Sequence, residues 1–138
     1  MRQQGLFLLL CAFAFSTQAD VKSSMDQMLG SILTLKPFIV SETEYADPKN
    51  APLIQDTLKQ MIAVSEKVKH EEQIQKNASQ VSAQSLTQQL KETELVFRVG
   101  NKSYSYWLLR STLSNCMACH TQLPAASTRF ESLSNDFL

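Results

Sequence analysis

Apolar side chains recur at intervals of three and four along most of this chain, and that spacing predicts helices. Val21, Met25, Met28, Leu29, Ile32 and Leu35 trace a first stripe. Pro37 disfavours a helical Lys36, so the element is expected to kink or end there. Residues 41–52 show little periodicity and carry Asp47-Pro48 and Asn50-Ala51-Pro52, the composition of a loop. Pro52 suits the first turn of a second helix. Its stripe is Ile54, Leu58, Met61, Ile62, Ser65 and Val68, and it ends in the charged run 66–72. Polar residues 73–80 predict a turn or frayed junction before a third, glutamine-rich helix over about 79–99, striped by Ala83, Leu86, Leu90, Thr93 and Phe97. Gly100 is its natural stop. Asn101 or Ser103 can cap a fourth helix that runs from Tyr104 to near Pro124. After it, Phe130, Leu133 and Phe137 predict a short terminal helix or a docked tail over 125–138.

No segment alternates with a period of two, and the chain has only three glycines. The expected fold is therefore all-α: four helices joined by short loops, with antiparallel up-down packing the simplest arrangement.

Composition changes this picture at the N-terminus. Arg2, the apolar run 6–15 and Thr17-Gln18-Ala19 have the layout of a secretory signal peptide over residues 1–19. The run is too short for a lasting membrane anchor, and Leu10 before Cys11 is a poor fit to a lipobox. Export to the periplasm follows, with one four-helix domain over residues 20–124 and no stable anchor once the signal is removed. Cys11 is expected to leave with it, so Cys116 and Cys119 are the two cysteines that remain of three. No disulfide framework is then available to staple a loop-rich fold. Without Arg2 the thirteen basic residues become twelve against thirteen acidic, which gives no electrostatic reason to propose nucleic acid or an anionic membrane as a partner.

Candidate chemistry is concentrated in Cys116-Met117-Ala118-Cys119-His120. Two cysteines three apart project to the same side of a helix, where both sulfurs can form thioethers to the two vinyl groups of one porphyrin. The adjacent histidine can then ligate the iron. The competing readings are a reducible thiol pair, a zinc site or coincidence. A thioredoxin-type dithiol wants a preceding strand, and a structural zinc wants a fourth ligand that only His70 could supply. Together with the export signal, the motif predicts one covalent haem c, with His120 as proximal ligand.

At about 100° per residue, Ser105 and Leu109 fall within about 20° of Cys116, and Leu108 and Thr112 within about 20° of Cys119. These residues are expected to line the haem side. Trp107 falls on the opposite face, suited to packing against another helix or a second copy of the chain. Tyr104 sits nearer the Cys119 direction. No methionine follows His120, so a distal ligand must come from upstream.

A signal peptide, four helices and Cys-x-x-Cys-His near the end of the last helix together resemble the cytochrome c-prime family, the class II c-type cytochromes, over roughly residues 20–123. In that family a first-helix residue lies over the distal face, about three turns before a proline-containing helix end. Aligning on Thr34-Leu35-Lys36-Pro37-Phe38 puts Met25 at that position and Met28 one turn on. The resemblance implies low-spin, six-coordinate iron if the residue is methionine, and an open five-coordinate site if the residue there is apolar. The chain departs from the family pattern in two places. Gln122, Leu123 and Pro124 stand where a basic residue commonly follows the motif, and Val21 and Lys22 stand near the place of a distal arginine. The family often forms homodimers, and Trp107 is where such an interface would be sought.

Three functions compete at this point. The first is a periplasmic electron carrier, not an enzyme, that exchanges electrons with a redox partner protein through His120- and methionine-ligated haem. The second is a five-coordinate haem protein that binds NO or CO. The third is a haem-free helical module using Cys116 and Cys119 as a thiol pair. No Ser-His-Asp pattern, glycine-rich phosphate loop or second histidine cluster offers another chemistry.

Overall fold

The structure, a computed structural model, describes residues 21–75 and 79–120, with the backbone alone at 72–73 and 117–119. The expected signal peptide and the tail after Pro124 lie outside these residues. Within them the chain is all-helical: α1 Val21–Ile39, α2 Glu42–Ala46, a 3-10 turn at Pro48–Asn50, α3 Ala51–His70, α4 Glu72–Gln75, α5 Ser79–Arg98 and α6 Lys102–His120. Each of the three apolar stripes up to Phe97 lies in one long helix. α3 packs between α1 and α5, and α5 lies against α6; the α1–α6 seam is sparser than these three.

Two expectations need correction. Pro37 does not end the first helix, which continues to Ile39. The continuation buries Phe38 and Ile39, and that burial favours helix over the local penalty of the proline. The stretch 41–52 is not simply loop. Ser41 caps α2 by accepting from the Glu44 N–H at 3.3 Å, and Asp47 accepts from the Lys49 N–H at 2.9 Å to start the 3-10 turn. Ser41 and Glu44 have the spacing of a capping box, a signal present in the residues themselves. The short helix matters because it buries Tyr45 completely.

Tyr45 is the hub of the end of the molecule where α6 begins. Its ring meets Phe97 edge-on at 5.3 Å and Tyr106 at 5.6 Å between centroids. Its hydroxyl and that of Ser105 share a hydrogen bond of 2.8 Å, and Ser105 donates to the Thr93 carbonyl at 2.9 Å. Tyr106 donates to the Ile39 carbonyl at 2.9 Å. One cluster of hydroxyls therefore joins α1, α2, α5 and α6. Between α3 and α5, Glu66 bridges Lys69 of its own helix and Lys91 across the seam.

Two of these contacts make stability depend on pH. Burial pushes the Tyr45 phenol from 10.0 up to about 12, against the opposing effect of its hydrogen bond with Ser105. A raised folded value means that the contribution is complete below pH 10 and is lost as pH rises through about 12. Hydrogen bonds from Lys69 and Lys91 pull the Glu66 carboxyl from 4.5 down to about 2, so its contribution is complete above pH 4.5 and is lost as pH falls through about 2. Denaturant titrations across pH should show Tyr45→Phe flattening the alkaline loss and Glu66→Gln flattening the acid loss, each leaving the opposite limb unchanged.

Candidate functional site

The motif is carried by α6, and the geometry of α6 is set where it begins. Gly100 ends α5 at φ 95°, a left-handed conformation that glycine adopts without a Cβ penalty. Its N–H bonds to the Phe97 carbonyl at 3.1 Å and that of Asn101 to the Val96 carbonyl at 3.1 Å, closing the last turn of α5. Asn101, one of the two candidate caps, accepts from the Tyr104 N–H at 3.2 Å and starts α6. The helix then turns Ser105, Leu109, Thr112 and Cys116 inward at spacings of four, three and four, all buried. His120 continues the same row four residues on and is half-buried.

Cys116 is 6 % exposed and joins the hydrophobic core, its sulfur directed back along the helix at 4.0 Å from the Thr112 carbonyl. The Thr112 hydroxyl is used within the helix, donating to the Leu108 carbonyl at 2.7 Å. Of the expected lining residues, Leu109 is wholly buried and Leu108 half-buried. Ser105 shares the inward row but is engaged by Tyr45 and Thr93, so its hydroxyl serves the join between helices. Asn115, immediately before Cys116, donates its amide to the Gln89 side-chain oxygen of α5, a contact the residue pattern had not indicated. The side chain of Cys119 is outside the described residues. Among those that are described, no three His, Cys, Asp or Glu side chains gather as a metal site.

Trp107 takes the outer face, as its helical angle requires, and is 57 % exposed. Its ring meets Tyr106 edge-on at 5.6 Å, and the Arg110 guanidinium lies 5.6 Å from its centroid. On α1, Met28 is buried in the core at 4 % exposure and Met25 packs half-buried at its edge. Met61 is wholly buried, in the packing role expected of it. His70 is exposed and lines a polar cleft of about 350 Å³ with Lys69, Gln80, Gln84, Gln88 and Lys91. The amide and ammonium lining of that cleft does not suit an apolar porphyrin.

No family model, curated protein or solved structure matches the chain. No helix among the described residues is long and apolar enough to cross a membrane.

The two faces of α6 are separable by substitution. Leu109→Ala should cost about 2 to 5 kcal/mol in urea unfolding, the range for truncating a fully buried leucine. Trp107→Ala on the outer face should cost under about 1 kcal/mol.

Proposed function

We propose that this chain is a periplasmic monohaem c-type cytochrome of the c-prime type, an electron carrier in which Cys116 and Cys119 hold the porphyrin covalently, His120 is the proximal ligand and Met25 the distal one. The observation that carries the reading is the Cys-x-x-Cys-His motif at the end of the last long helix, with Cys116 on the inward row and His120 one turn on. Two thiols and an imidazole on successive turns fit covalent attachment of one haem.

The packing supports an antiparallel four-helix bundle. The short 99–101 connection makes α6 double back on α5. Gln55 of α3 bonds Glu94 of α5 at 3.1 Å, while Glu66 further along α3 reaches back to Lys91. Tyr106 near the start of α6 bonds the last residue of α1. In that arrangement Met25 lies 14 residues before Ile39 and His120 lies 14 residues after Tyr106, so at about 1.5 Å per residue both stand about 21 Å from the shared contact, at the same level. They would face each other across the sparse α1–α6 seam. Inward side chains at that end include the small Ser24, Ala83, Thr87, Thr112 and Cys116, whereas the opposite end holds Phe38, Tyr45, Phe97 and Tyr106. The smaller side chains make the first end the better candidate for a planar apolar group.

Met25 is preferred to Met28 because Met28 is already committed to the core, and Met25 stands at its edge. Haem bound here supplies a one-electron iron couple. His120 and Met25 would hold the iron from the chain, and a thioether ligand would favour the ferrous state.

A pyridine haemochrome assay on the exported protein should show one covalent haem, and its absence would sink the reading. Carbon monoxide added to the reduced protein should bind slowly or not at all, and Met25→Ala should convert the low-spin spectrum to a high-spin, CO-binding one. Rapid CO binding by the unaltered protein would instead establish the five-coordinate, gas-binding alternative. An unchanged low-spin spectrum in Met25→Ala would exclude Met25 as ligand.

A further inference from the structure

α6 reaches the motif through a stretch without ionic anchors. Residues 111–119 carry no charged side chain, and neither do residues 79–90 of the neighbouring α5. Ion pairing between these two stretches is therefore unavailable, and apolar packing and neutral hydrogen bonds join them. Leu109 and Cys116 supply the packing. A polar link is formed by Gln89, whose side-chain oxygen accepts from the Asn115 amide and whose own amide donates to the Ser85 hydroxyl at 3.4 Å. Asn115 and Gln89 are both half-buried, which removes much of the competition from water that makes exposed amide pairs weak.

The position of this link on α6 is what gives it a role. At about 100° per residue, position 119 is rotated only about 40° from position 115 and sits one turn beyond it, while positions 116 and 120 form the adjacent row. Apolar packing of Cys116 settles which way the 116–120 row faces. The neighbouring 115–119 row is steadied by the amide of Asn115. Two thioethers to one rigid porphyrin need both rows in register, because a rotation of the terminal turn that still allows one bond carries the second sulfur away from its vinyl carbon.

We infer that Gln89 is a positioning residue for haem attachment: through Asn115 it holds the terminal turn of α6 so that both cysteine positions face the two vinyl groups together. The inference rests on the haem reading above. In each attachment a cysteine S–H adds across a vinyl C=C, sulfur to one carbon and hydrogen to the other, with no change in the electron count of the pair.

The test compares Gln89→Leu, which removes the acceptor, with Gln89→Glu, which keeps it. In the haem-free chain carrying Cys119→Ser, alkylation of Cys116 by iodoacetamide reads opening of the terminal turn. Gln89→Leu should raise the rate about threefold to tenfold, the effect of one lost side-chain hydrogen bond, and Gln89→Glu should leave it near the original. In the full haem-loaded protein, Gln89→Leu should yield a fraction joined by a single thioether. Mass spectrometry after proteolysis would detect that fraction, as would a pyridine haemochrome α-band moved to longer wavelength by the surviving vinyl, and Gln89→Glu should restore the double attachment. An unchanged alkylation rate, or complete double attachment in Gln89→Leu alongside a lowered melting temperature, would overturn the assignment and leave Gln89 a stability residue only. Failure of the haem reading itself would show separately, as absence of covalent haem from the unaltered protein.

Discussion

Everything at the motif end of α6 depends on the rotation that the helix is given at its start. A straight helix transmits that rotation along its axis, so the buried hydroxyl cluster of Tyr45, Ser105 and Tyr106 decides which residues face inward three turns later. Ser105 is held from two sides, by the phenol of α2 and by the Thr93 carbonyl of α5, and Tyr106 is held by the end of α1. Three constraints from three helices leave one orientation for α6. Leu109, Thr112 and Cys116 then fall on the inward face by the period of the helix, and the Asn115–Gln89 link steadies the terminal turn. α2 is only five residues long, yet without Tyr45 the first of these constraints would be absent.

The long helices were legible in the residues because their inward stripes are regular and their ends are marked. Gly100 stops α5 for the reason glycine usually does, and Asn101 caps α6 with its side-chain oxygen. The legible part fails where tertiary burial outweighs local preference. Pro37 was expected to kink or end α1; the helix does not end there but goes on to Ile39, and Phe38 and Ile39 are buried. The region 41–52 has the composition of a loop, and Tyr45 gave no periodic signal because α2 contributes a single inward residue. The spacing of Ser41 and Glu44 was the clue available there. Thr57 and Val64 are buried on α3 beyond its expected stripe, whereas Ile62 is only partly buried, because α3 is contacted from both sides by α1 and α5 and its inward face is wider than one row.

For the candidate site the division is different. The identity and spacing of Cys116, Cys119 and His120 are chemical signals that need no fold to be read. The burial of Cys116 and the link between Asn115 and Gln89 join residues 26 apart along the chain, and nothing in a local pattern selects Gln89 from the other glutamines of α5. The hydrogen-bonding role of Gln89 emerges only when α6 lies beside it.

The inward faces also explain how a chain with thin apolar stripes tolerates so many buried hydroxyls. Ser31, Thr57, Thr87, Thr93 and Thr112 each donate to the carbonyl four residues earlier in their own helix, and Ser65 to the one three earlier. These hydroxyls need no partner from another element, so they cost little when buried and leave helix packing free to vary. Ser105 is the exception in this set, since both of its bonds cross to other helices. A hydroxyl bonded within its own helix fills space without specifying a neighbour, whereas one bonded across a seam fixes a rotation. The end of the molecule marked by Tyr45 and Ser105 is therefore specified by polar bonds as well as by large rings. The motif end, lined with self-satisfied threonines and small side chains, is joined across its seam by the amide pair of Asn115 and Gln89.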